Sequence, residues 1–148
     1  MKKHAFFTIA LAAISLITIG QTAPGTVQIS ENYFADKREV TNMDWREYMY
    51  WNKKVYGFNS PEHKATLPDT TLWLKANYPL QFHYVRHPAY AQYPVVGISY
   101  EQAVAYCQWR TDRVNEYIYI KQTKIKPTPG QPIENLPKVF QYRLPTKE

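Results

Sequence analysis

Cys107 is the only cysteine in this 148-residue chain, which makes it the first candidate for nucleophilic or redox chemistry. It falls between Tyr106 and Trp109, on the apolar face of an expected helix. A lone cysteine so placed packs as a small hydrophobe rather than serving redox or metal chemistry. His83 and His87 stand four apart, the spacing at which two imidazoles on a helix share a metal. Pro88 pushes His87 away from helical angles, however, and no carboxylate lies nearby in sequence. Zinc takes three or four protein ligands, so each histidine is read as a hydrogen-bonded loop residue. Asp36, Glu39 and Asp44 invite an acid–base reading. Asp44 is better suited to the first turn of a helix, and Glu39 to a weak surface pair with Lys37 or Arg38. Arg143 offers two-pronged binding of a carboxylate, which we assign to a partner within the chain. No glycine-rich phosphate loop, nucleophile elbow or zinc-binding helix motif is present. The residues therefore nominate no catalytic, cofactor-binding or metal-binding site.

The elements that would position these residues are read from periodicity and punctuation. Gln28–Asp36 has strand character, with Thr26–Ile29 alternating polar and apolar. Thr41 or Asn42 caps a helix expected over about residues 43–55, with Trp45, Tyr48, Met49 and Val55 on one face and Gly57 as its stop. Residues 57–71 are loop-like. A helical turn is expected at Thr71–Asn77 and a short extended piece at Leu80–Arg86. Tyr93–Ile98 reads as a short buried strand. Ser99 and Gln102 form a capping box for a second helix, from about Tyr100 to Tyr117. Ala103, Tyr106, Cys107, Arg110 and Val114 make its inner face; Glu101, Gln108, Asp112 and Asn115 are assigned to its outer face. Prolines 127, 129, 132 and 137 make residues 121–137 an irregular loop. Val139–Tyr142 reads as a last short strand. Two helices separated by scattered strands imply an α+β fold rather than a doubly wound parallel sheet.

The N-terminus carries a separate signal. Met1-Lys2-Lys3 supplies a positive start, Ala5 to Ile19 is almost wholly apolar, and Thr18 and Gly20 are small. This is the pattern of a secretory signal peptide over residues 1–20, with cleavage after Gly20, or alternatively after Ala23. The apolar run is shorter than the roughly 20 residues a membrane span needs. Residues 21–148 would then form one domain, with no transmembrane segment after cleavage. No cysteine lies near the junction to carry a lipid anchor, so a soluble periplasmic or secreted product is expected. The net charge of +6 is mild and scattered, with a loose cluster at Lys121, Lys124 and Lys126. A solvated face explains that cluster, and nothing here reads as a nucleic-acid motif. One cysteine excludes an internal disulfide, so the domain depends on its core, rich in 13 tyrosines and 4 tryptophans. At the other end, Pro145-Thr146-Lys147-Glu148 reads as a helix start. We expect the chain to be the front part of a longer protein and the domain to be incomplete.

Three stretches, taken in order, carry a resemblance. They are Tyr33-Phe34-Ala35-Asp36 with Glu39-Val40-Thr41-Asn42; Tyr93-Pro94-Val95-Val96-Gly97-Ile98-Ser99-Tyr100-Glu101-Gln102-Ala103 with Tyr106-Cys107 and Trp109; and Arg143-Leu144-Pro145-Thr146. Together they resemble the formylglycine-generating enzyme, or sulfatase-modifying factor, superfamily over residues 33–148. Within it, Leu67-Pro68-Asp69-Thr70-Thr71 with Trp73, His87-Pro88-Ala89-Tyr90 with Tyr93-Pro94, and Trp109-Arg110-Thr111-Asp112 are most similar to the gliding-motility lipoproteins. The resemblance implies a C-type-lectin-like fold with much irregular structure. It implies that the copper-binding cysteine pair and the main calcium residues of catalytic members lie past the Arg143–Thr146 motif. Hence no copper or calcium ligand is carried over, and Cys107 does not correspond to the copper pair. The function expected is an exported, non-catalytic domain with a cell-envelope binding or assembly role, partnering envelope or secretion proteins. The alternative is the N-terminal part of a formylglycine-generating oxidase, with a client sulfatase as its partner.

Overall fold

Two N-caps organise the molecule, described here by a computed structural model over residues 22–74, 80–128 and 130–146. The expected leader lies outside the described residues, as do residues 75–77 of the expected helical turn and the last two residues of the expected C-terminal helix start. Helix α1 spans Asn42–Tyr56, and Thr41 caps it. Asp44, at the third helical position, returns the bond: its Oδ2 accepts from the Thr41 N–H at 2.9 Å and from Oγ1 at 2.7 Å. Helix α4 spans Tyr100–Thr123 and carries the Ser99–Gln102 box that its sequence announces. Each box satisfies donors that a helix start would otherwise leave unpaired. Helix α4 outruns its expected end by six residues, because the first proline of the following loop comes only at 127. It closes on Lys124 in the left-handed conformation, φ 57°. Helix α1 ends on Gly57, as its sequence implies.

The expected single strand is a hairpin. β1 (Thr26–Ser30) pairs antiparallel with β2 (Tyr33–Asp36), with an irregularity between Gln28 and Ser30. Among the described residues between α1 and α4 lie two short helices, α2 (Pro61–Ala65) and α3 (Leu80–His83), and two 3-10 turns at Thr71–Trp73 and Pro88–Tyr90. Leu80–Arg86 is thus a short helix followed by a turn rather than extended: Tyr84 N donates to Leu80 O at 2.9 Å and His87 N to His83 O at 2.8 Å. The strand expected at Tyr93–Ile98 reduces to one bridge, Thr41 with Pro94. Pro94 has no N–H to give a ladder, and Gly97, at φ +76°, turns the chain away. Val139–Tyr142 pairs with no strand among the described residues. Its backbone is held by polar side chains of α4. The architecture is mixed α+β, a small hairpin beside two principal helices.

The core is a layer of aromatic rings between α1 and α4. Trp45, Tyr48 and Tyr106 are its buried centre, with Val40, Met49, Val95, Ile98 and Trp109 packed around them. Trp45 stacks on Tyr106 with centroids 5.2 Å apart, and Tyr48 meets Tyr106 and Trp109 at 5.6 and 5.2 Å. Farther along, Trp51 meets Trp109 at 6.4 Å and the Arg113 guanidinium at 4.5 Å. The contacts advance together along both helices, which therefore run in the same sense. Trp45 also donates from Nε1 to Thr66 O at 2.9 Å, so its polar edge is satisfied while the ring is buried.

Candidate functional site

The hairpin and the first turn of α1 stand opposite α4 and leave a cleft of about 580 Å³ between them. Charged side chains from four segments line it. Asp36 ends β2, Arg38 and Glu39 precede α1, Asp44 and Glu47 come from α1, and Arg110 and Arg113 from α4. Its inner wall includes Tyr106 and Trp109 of the ring layer. A second cleft of about 360 Å³ also includes Glu47 and Trp109, so the two adjoin there.

Ion pairs fix much of this wall. Arg110 binds Asp36 with both terminal nitrogens, at 2.6 and 2.7 Å. Burial works against the charge of Arg110, but the Asp36 carboxylate outweighs it and holds the guanidinium above its ordinary value. The same guanidinium lies 4.1 Å from the Tyr142 ring centre. Arg38 grips Asp44 at 2.7 and 3.1 Å. Burial alone would raise the Asp44 carboxyl; bonds from Arg38 and Thr41 together bring it below the usual carboxylate range. Arg113 pairs with Glu116 one helical turn on. Two donors at this wall, Trp109 Nε1 and Arg113 Nε, are shielded from water and have no hydrogen-bond partner among the described residues. Burial also pushes the Tyr106 phenol well above its ordinary value, so it stays a neutral hydroxyl.

The residues singled out from sequence are not brought together as one centre. Asp36 and Asp44 both reach the cleft, each committed to an arginine. Glu39 lines it too, and among the described residues it makes none of the ion pairs expected with Lys37 or Arg38. Arg38 turns to Asp44 instead. Cys107 is half-buried on α4, and burial pushes its thiol up, which leaves it protonated and poorly nucleophilic near neutral pH. The His83 and His87 rings are 6.1 Å apart and edge-on. His87 Nδ1 is occupied in accepting the Ala89 N–H at 3.2 Å, capping the 3-10 turn there. Among the described residues no three His, Cys, Asp or Glu side chains cluster as a metal would need. Arg143 meets no carboxylate among the described residues; its Nη1 donates to Leu144 O and Thr146 Oγ1, each at 3.2 Å.

Two polar residues on α4 do more than their sequence indicates. Asn115, expected on the outer face, is 2% exposed. Its Oδ1 accepts from the Val139 and Phe140 N–H groups at 2.8 and 3.0 Å, and its Nδ2 donates to Phe140 O at 2.8 Å. Thr111 Oγ1 accepts from Tyr142 N at 2.9 Å. The 139–142 segment thereby lies along α4 and delivers Tyr142 to Arg110. Cys107, Thr111 and Asn115 follow one another at spacing four, so they share a face of α4.

A mixed α+β domain with a small hairpin, two capped helices and a charged cleft is the class these features define. The chain matches the Sulfatase-modifying factor enzyme 1-like domain over residues 8–148, and it belongs to that family. The match begins within the apolar stretch read as a leader. No curated protein and no solved structure matches the chain. The copper pair of the family's oxidases takes two cysteines, and the single Cys107 among these residues, half-buried and protonated, does not fit it.

Proposed function

We propose that this chain is an exported, non-catalytic sulfatase-modifying-factor-like domain that binds or assembles with proteins of the cell envelope, as the gliding-motility branch does. The observation that carries the reading is the cleft. It is open, walled by aromatic rings, edged by the exposed carboxylates of Glu39 and Glu47, and contains two shielded donors without partners among the described residues. Shielded unpaired donors cost free energy until a partner or a side-chain adjustment satisfies them. Cys107 supports the non-catalytic half of the reading, being half-buried and protonated. The leader-like N-terminus supports export to the periplasm or the medium.

The test places a photoreactive amino acid at Tyr117, a 60% exposed residue on the cleft rim. Expressed in a bacterium with an envelope, the chain is expected outside the cytoplasm. It should give a saturable cross-link to one envelope protein, and reversal of charge at Glu39 and Glu47 should abolish it. Retention in the cytoplasm, or cross-links indifferent to those charges, would refute the reading. So would aldehyde formation when the purified chain meets a cysteine-containing sulfatase peptide with copper and oxygen.

A further inference from the structure

We infer that the cleft between the hairpin, α1 and α4 receives a cationic peptide segment, one that carries at least two lysine or arginine side chains. The inference rests on the reading of this cleft as a binding surface and adds the chemistry of the partner. The arginines of the cleft are already committed: Arg110 to Asp36, Arg38 to Asp44 and Arg113 to Glu116. Glu39 and Glu47 line the same cleft and are exposed. Neither carboxylate makes an ion pair among the described residues. The three pairs cancel, so the cleft keeps two unmatched negative charges in a chain whose net charge is +6. A local field opposite in sign to the whole molecule draws cations to this place and repels the acidic partners that the rest of the surface attracts.

The walls narrow the kind of cation. Trp109, Val114 and Tyr117 make the α4 side largely apolar, while Glu39 and Glu47 come from the opposite side, before and within α1. Lysine and arginine lay an apolar stem on such a wall and keep the charged head at the edge of water. Aromatic faces attract the same heads. A bare metal ion has no stem, and no three His, Cys, Asp or Glu side chains cluster among the described residues to ligate one. A peptide, unlike a simple amine, also brings carbonyl acceptors, which Trp109 Nε1 and Arg113 Nε lack among the described residues. The volume of about 580 Å³ suits a short segment. Lys121, Lys124 and Lys126 are exposed on this chain too, so a second copy is the rival occupant.

Titration calorimetry of the full chain tests this with a short capped peptide bearing two lysines, its acetyl-lysine form and its glutamate form. The lysine peptide should bind and the other two should not, and added salt should weaken the binding. Glu39→Gln and Glu47→Gln should each lower affinity about threefold and together about tenfold, as two water-edged ion pairs do. Glu62→Gln, on α2 and outside the cleft, should leave it unchanged. Equal binding of the lysine and acetyl-lysine peptides, binding of neither, or indifference to Glu39 and Glu47 overturns the inference. So does self-association in sedimentation that the double Glu39→Gln, Glu47→Gln variant abolishes, because the occupant is then a second copy. The two readings fail separately. An envelope cross-link at Tyr117 that the lysine peptide does not displace overturns this inference and leaves the binding reading standing. Peptide binding without any envelope cross-link sinks the envelope reading and leaves this one.

Discussion

Asp36 and Arg110 are 74 residues apart in sequence, yet they meet through two hydrogen bonds. Their pairing joins the end of the hairpin to the middle of α4, and the Tyr142 ring packs over the same guanidinium. Replacing Asp36 with Asn keeps the shape and removes the charge. We expect a loss of about 1–2 kcal/mol, less than the 3–5 of a fully buried pair because water reaches both partners. Denaturant unfolding measures it. Asp36→Asn and Tyr142→Leu should be non-additive, since both act on Arg110.

Trp45 is 1% exposed at the centre of the ring layer. Trp45→Ala should cost roughly 3–5 kcal/mol, combining lost burial, a cavity and a bereft Thr66 carbonyl. Trp45→Phe should recover most of the packing but not the hydrogen bond. Chemical denaturation of the three proteins checks the order wild type, Phe, Ala.

Asn115→Leu should release the 139–142 segment without disturbing α4. The amides of Val139 and Phe140 lose their acceptor, at about 0.5–1.5 kcal/mol for each part-buried hydrogen bond. Hydrogen exchange should speed up at Val139 and Phe140, while far-ultraviolet dichroism stays unchanged. Exchange rates equal to wild type would refute the clip.

Gly97 sits at φ +76°, and an added Cβ would lie 2.2 Å from the Asp69 carbonyl oxygen. Backbone cannot step aside as a side-chain tip can. Gly97→Ala should therefore lower the melting temperature sharply, from both the conformation and the clash.

Asp44 gives the chain an acid limb. Its folded pKa is below its unfolded value, so its contribution is full above the unfolded value near 4 and fades as pH falls through the folded one. Asp44→Asn should narrow the stability gap with wild type below about pH 4 and leave it constant from pH 5 to 8. Buried Tyr106 sets the opposite limb. Its raised phenol stabilises the fold at neutral pH, and that contribution declines as pH climbs past about 10. Melting curves across pH, for wild type and for Tyr106→Phe, separate the two.

Local chemistry explains what was legible in the sequence. Thr41 and Ser99 cap helices because the needed partner lies three residues on, within the same stretch of chain. The family resemblance was likewise carried by contiguous motifs. Asn115 was misassigned because its partners are 24 and 25 residues away, and nothing near it announces them. The 93–98 strand failed for a reason present in the sequence: Pro94 and Gly97 interrupt the β-branched run. The cleft was hidden, since it is assembled from the hairpin, α1 and α4, and the hairpin's docking rests on the distant Asp36–Arg110 pair.

Tyr106 and Trp109 belong to the ring layer and also to the wall of the cleft. The scaffold and the surface it presents are therefore made from the same two side chains. Over evolutionary time, a change that reshapes the cleft wall at either position must be matched by a compensating change across the interior, at Trp45 or Tyr48. Relatives with different preferences should accordingly differ first at the rim, at positions such as Glu39 and Glu47, and only in coordinated sets behind it.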